Sequence, residues 1–234
     1  MKTNAVQKNV VTSEFLGTFL LVFVGCGAII VNDLYGGALG HIGVNAVFGL
    51  VVMAIIYALG NVSGAHINPA VTIGFYFAGR ISASEIPPYV MAQLGGAVLA
   101  GLVLLVLFPE HINFGATMPA IDLPRAFLME VLISFSLMFI ILNVSTGHQE
   151  KGIMAGAAVG GMVALLALFA GPVTGASMNP ARSIGPAIAA MNFEHLWIYI
   201  VAPVLGMWMV SPFCRLIQGS DCCPAEKLEG AASS

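Results

Sequence analysis

Asn68-Pro69-Ala70 and Asn179-Pro180-Ala181 are two copies of one polar tripeptide in a chain otherwise dominated by apolar runs. Asn is a favoured helix N-cap, its side-chain oxygen accepting a backbone N–H of the first turn. Pro suits the first helical position, where its missing N–H costs nothing, and Ala lets the facing turn pack closely. After capping, Asn still has an NH2 donor; Asp would cap equally well but bring an anion and no donor. Two such donors, each at a helix end carrying about +0.5 charge, favour a solute oxygen and repel a cation. Ahead of the caps lie Gly64, Ala65, His66 and Ile67, and Gly175, Ala176, Ser177 and Met178. Their backbone carbonyls would offer a file of acceptors to a neutral, hydroxylated solute.

Three more groups stand inside apolar segments: Glu14, Glu130 and Arg182. Intramembrane ionisable residues point to function by default. A proton relay is one reading of the two glutamates. The preferred reading is structural, each carboxylate accepting buried N–H groups of an irregular linker. Arg182 falls in the first turn of the second tripeptide helix, where the dipole disfavours a cation. Its burial costs at least about 2.5–3.5 kcal/mol unless it is hydrated or paired. Val71 holds the same place after the first tripeptide, so the charge is not a repeat relic. His66 either lines a mouth of the passage or is a structural imidazole. His41, His111, His148 and His195 are scattered, with no pair at helical ligand spacing, so no metal is expected. No cofactor motif is found. Ser177 has no evident base partner, so no enzyme is read here. Neither a metalloid-thiol nor a lipidation role is assigned to Cys222-Cys223.

The elements that carry these residues follow from composition. Of 234 residues, 59% are hydrophobic and 8% charged, against about 25% charged in a soluble domain. Such a chain is an integral membrane protein whose first partner is the lipid bilayer, and a net charge of −3 gives no reason to expect nucleic acid. A span needs about 20 apolar residues. Six segments qualify, at 11–32, 43–60, 84–107, 125–144, 152–171 and 196–217. The linkers 61–83 and 172–195 are too apolar for water and too short to cross. An extended stretch over 61–67 reaches at most about 23 Å, and a helix from Asn68 to Gly79 returns about 18 Å. Each linker can therefore dip to mid-membrane and come back.

The halves repeat. Glu14-Phe15-Leu16-Gly17-Thr18-Phe19 and Glu130-Val131-Leu132-Ile133-Ser134-Phe135 each precede two spans with a tripeptide linker between them. Three spans per half is odd, so the halves face opposite ways, an architecture of channels and transporters. The expected fold is all-α: six transmembrane helices plus two re-entrant half-helices. The domain reading is a segment 1–10, one channel domain 11–217 with repeats at about 11–107 and 125–217, and a flexible tail 218–234. Lys2, Lys8, Arg80, Lys151, Arg215 and Lys227 share one side, which puts both termini in the cytoplasm.

The two tripeptides, Arg182 and the Glu14 and Glu130 repeats resemble the major intrinsic protein family of aquaporins and glycerol facilitators, over residues 9–217. The resemblance implies a homotetramer with one pore per subunit. It also makes Phe48, Ala167, Ala176 and Arg182 the four corners of an outer constriction. Strict water channels usually carry His where Ala167 stands, so Ala widens the aperture. Glycerol facilitators usually carry Asp after the Arg, where this chain has Ser183. The stretches VQKNVVTSEFLGTFLLVFVGCGAIIVN and GNVSGAHINPAVTI are similar to nodulin-26-like channels, and the Phe-Ala-Ala-Arg set to their bacterial members. That implies a passive channel for water and small neutral solutes, namely glycerol and metalloid hydroxides such as arsenite, in a bacterial inner membrane. A water-selective aquaporin and an ion-coupled secondary transporter are the competing expectations.

Overall fold

A backbone in lipid must satisfy its own hydrogen bonds, so an apolar run of membrane length becomes a helix. The computed structural model describes residues 4–145 and 153–219, with side chains from residue 7 onward. Its described helices are α1 (Asn4–Leu34), α2 (Gly40–Ser63), α3 (Pro69–Phe77), α4 (Ile86–Leu107), α5 (Leu123–Val144), α6 (Ala155–Thr174), α7 (Pro180–Ala189), α8 (Leu196–Trp208) and α9 (Val210–Gln218). Six stretches are long and apolar enough to span: Gln7–Leu34, Gly40–Ser63, Ala83–Leu107, Leu123–Val144, Ala155–Thr174 and Leu196–Gln218. Side chains such as Leu50, Leu128 and Leu165 stand more than half exposed on the bundle exterior, where lipid is the solvent.

Several boundaries differ from the sequence expectation, and two of them have a cause in the adjoining residues. The extended descent expected over 61–67 is mostly helix, because α2 runs on to Ser63. Gly64 closes it with a left-handed φ of 84° and an N–H bond to the Gly60 carbonyl, so the non-helical stretch shrinks to residues 64–68. The final span also breaks at Met209. Pro212 cannot donate to the Trp208 carbonyl and its ring crowds that turn, so α8 and α9 form two pieces. At the start of α5, Asp122 caps with Oδ1 accepting the Arg125 N–H at 3.2 Å. Backbone and side-chain hydrogen bonds from Arg125 hold its carboxyl below the usual aspartate range.

The half-helices add up to one crossing. Nine residues of α3 and ten of α7 give about 28 Å at 1.5 Å per residue, against a hydrocarbon core of about 30 Å. The packing pairs show the inverted repeat: α1 lies on α2 and α4 as α5 lies on α6 and α8, while α4 packs on α7 as α8 packs on α3. α2 and α6 pack on each other, across the pseudo-twofold.

Small residues set how closely these pairs approach. A β-carbon on Gly96 would stand 2.2 Å from the Phe15 carbonyl oxygen, and one on Gly206 2.3 Å from that of Val131. Gly49 and Gly160 face each other, each 2.5 Å from the other's carbonyl by the same measure. Gly95, Gly101 and Gly156 also sit against a neighbouring helix, as the sequence suggests. Gly161 does not, for nothing lies within 4 Å of it. Lys2, His148, Lys151, Cys222, Cys223 and Lys227 lie outside the described residues, as does the tail from Ser220.

Candidate functional site: two half-helix tips and a lined cavity

Between α2 and α3, and between α6 and α7, the chain takes the same unusual path. Gly64 and Gly175 both have φ 84°, Ala65 and Ala176 have φ 46° and 43°, and Ile67 and Met178 have φ 44° and 53°. Left-handed backbone at non-glycine residues persists only where the surroundings over-determine it. Here the surroundings are the two buried carboxylates. Glu14 Oε1 accepts the Ser63 hydroxyl at 2.6 Å and the His66 N–H at 2.9 Å. Its Oε2 accepts the Ile67 N–H and the Gln93 amide, both at 2.7 Å. Glu130 repeats the pattern with the Thr174 hydroxyl at 2.6 Å, the Ser177 N–H at 3.0 Å and the Met178 N–H at 3.1 Å.

Peptide planarity then orients the carbonyls, because the C=O of one residue points opposite the N–H of the next. The N–H groups of His66 and Ile67 point at Glu14, so the carbonyls of Ala65 and His66 turn away from it. The Ala65 N–H goes to Ser63 Oγ at 3.1 Å, which turns the Gly64 carbonyl likewise. Gly175, Ala176 and Ser177 follow the same logic through Thr174 and Glu130. Ile67 and Met178 differ: their carbonyls accept Asn amides.

The asparagines cap and cross-link at once. Asn68 Oδ1 accepts the Ala70 N–H at 2.9 Å, and its amide donates to the Met178 carbonyl at 2.8 Å. Asn179 Oδ1 accepts from Ala181 at 3.0 Å and Arg182 at 3.4 Å, while its amide donates to the Ile67 carbonyl at 2.9 Å. The tips of α3 and α7 are thus tied reciprocally. One N–H of each amide is taken up by the tie, leaving one.

Both asparagines line a cavity of ≈ 470 Å³. Phe48 from α2, Ala167 from α6, Ala176 from the second tip and Arg182 from α7 line the same cavity, as do all eight tip residues from Gly64 to Ile67 and from Gly175 to Met178. Arg182 is 4% exposed and makes no ion pair among the described residues. Its Nη1 donates to the Gly115 carbonyl at 2.7 Å and meets Cys26 Sγ at 3.6 Å. The guanidinium carbon lies 5.0 Å from the Phe48 ring centroid, a favourable cation–π distance. Ser183 joins a hydroxyl chain, accepting Thr117 Oγ1 at 2.8 Å and meeting Ser177 Oγ at 2.6 Å. His66 bonds Thr72 Oγ1 at 3.1 Å and packs its ring on Phe75 and Tyr89, so it is both held and cavity-lining. No group of three His, Cys, Asp or Glu able to hold a metal occurs among the described residues.

Several supporting residues escaped the sequence reading. Ser63 and Thr174 had a signal, since GNVSGA and GPVTGA align at the spacing of the two tripeptides. Tyr89 and Tyr199 cap those same turns, each hydroxyl donating to the carbonyl of Ser63 or Thr174 at 2.7 and 2.6 Å. Gly115 had none, because the 108–122 loop has no copy in the other half.

The whole chain can be set beside known proteins. The family model described as "Major intrinsic protein" matches residues 1–213. Aquaporin NIP1-2 of Oryza sativa subsp. japonica is 48% identical over 204 residues, covering 84% of this chain and 67% of that protein. Putative aquaporin NIP4-1 of Arabidopsis thaliana is 44% identical over 224 residues, covering 94% and 78%. The X-ray structure of the aquaglyceroporin from Plasmodium falciparum superposes with a TM-score of 0.79 at 27% identity, covering 91% of this chain and 99% of that one. These curated relatives are plant proteins, so the expected bacterial inner membrane draws no support from them. They are channels, not enzymes. With its inverted bundle, its paired half-helix tips and these matches, the chain belongs to the major intrinsic protein family of aquaporin membrane channels.

Proposed function

We propose that the chain is a passive channel for water and small neutral solutes, glycerol and metalloid hydroxides such as arsenite among them, through a widened Phe48-Ala167-Ala176-Arg182 filter. One observation carries this reading: the four residues share one cavity with Asn68 and Asn179, and two of the four walls are methyl groups. A cation meets Arg182 and two half-helix N-termini, while a neutral hydroxylated solute meets turned-out carbonyls and the remaining asparagine N–H groups. The turned-out set is six carbonyls, those of Gly64, Ala65, His66, Gly175, Ala176 and Ser177. An ion-coupled transporter would need free carboxylates near the solute, and Glu14 and Glu130 are both engaged with backbone N–H groups. The same reading includes a single channel domain over 11–217, cytoplasmic termini and a homotetramer with one pore per protomer.

The test is flux of water, glycerol, urea and arsenite on one proteoliposome preparation, for the wild type and Ala167→His. Histidine adds bulk and a donor to the cavity wall that α6 supplies. Glycerol and arsenite flux should fall by on the order of ten-fold or more, as one misfitted contact of about 1.4 kcal/mol gives, while water flux changes less. Equal losses for all four solutes would remove Ala167 from the filter.

A further inference from the structure

One backbone carbonyl holds the Arg182 guanidinium, beside Cys26 Sγ and the Phe48 ring. Gly115 supplies it, from a loop that belongs to neither half-helix. Gly115 has φ 74°, and Phe114 before it has φ 47°, a conformation a bulky side chain adopts only under constraint. Phe114 is 4% exposed, and its N–H donates to His111 Nδ1 at 2.9 Å. The two rings lie 5.9 Å apart. His111 Nε2 lies 3.2 Å from Asp33 Oδ2 at the end of α1, and the imidazole side chain is 9% exposed.

These contacts fix the tautomer. A backbone N–H can only donate, so Nδ1 must be the accepting nitrogen; the proton sits on Nε2 and is donated to Asp33. We propose that His111 is a positioning residue for Arg182: it sets the filter through the Phe114 N–H and the Gly115 carbonyl. Without an acceptor at the place of Nδ1 the buried Phe114 N–H is left unmet, so the Phe114 peptide must turn and Gly115 moves with it.

The proposal rests on the reading of Arg182 as a filter residue, and the test separates the two. His111→Asn sets an amide oxygen where Nδ1 was and keeps an acceptor for Phe114. His111→Gln reaches toward Asp33 and leaves the Phe114 N–H unmet. Full-length protein is reconstituted, and the glycerol-to-water permeability ratio is measured. His111→Gln should shift the ratio on the order of five-fold, the effect of one lost hydrogen bond, and His111→Asn should restore the wild-type ratio. If His111→Gln keeps the wild-type ratio, or His111→Asn shifts it as far as His111→Gln does, the relay is wrong. If His111→Gln does not reconstitute, His111→Ala, which also removes the acceptor, takes its place against His111→Asn. Arg182→Val is run alongside. A shifted ratio there with inert His111 variants sinks the relay alone, whereas an unchanged ratio for Arg182→Val sinks the filter reading and the relay with it.

Discussion

At the residue scale, Asn68 and Asn179 do two things that a single substitution can separate. Each oxygen caps its own half-helix and each amide ties the opposite tip. Asn68→Asp keeps an oxygen for the Ala70 N–H but loses the donor to Met178 and sets oxygen against oxygen. Stability in detergent should fall by about 1–3 kcal/mol, the value of a buried group left unpaired. Asn68→Ala should lose about 1 kcal/mol more with the cap. Thermal unfolding measures both. An Asp variant as stable as the wild type would mean that the tie carries no weight and capping alone explains the residue.

At the element scale, the half-helix loops hold their left-handed turns because two carboxylates collect N–H groups from them. Glu14→Gln leaves one oxygen to serve four donors and points an NH2 at others. Each orphaned backbone donor costs about 1–3 kcal/mol, so the yield of folded protein and its melting temperature should drop. Glu130→Gln should cost less, since Glu130 has three donors and no counterpart of Gln93. A proton relay predicts something else: a variant that folds normally and loses only gradient-dependent flux. Thermal melts beside flux assays with and without a proton gradient distinguish these outcomes.

At the scale of the whole molecule, the two halves meet along α2 and α6, where Gly49 and Gly160 bring backbones into contact. Gly49→Ala would push a methyl to 2.5 Å from the Gly160 carbonyl oxygen, and the helices must part. Overpacking of this kind costs about 1–3 kcal/mol or more. Gly27→Ala is the control, since its β-carbon would meet only Leu104 at an ordinary 3.5 Å. Alanine there should be neutral or stabilise the helix by about 0.5–1 kcal/mol. Matched losses of melting temperature in both variants would show that the seam is not the sensitive interface.

The sequence alone determined the spans, the re-entrant tips and the inversion. Those properties follow from local composition and from a repeat, and lipid enforces them: a backbone without water has few ways to satisfy itself. Asn68, Asn179, Glu14 and Glu130 were legible because each occurs twice at matching places. What only the tertiary structure decided lies across the repeat or outside it. The reciprocal amide ties and the hold of the Gly115 carbonyl on Arg182 join residues far apart in the chain. No periodicity encodes such contacts, because which carbonyl reaches which side chain is set only once the helices have packed.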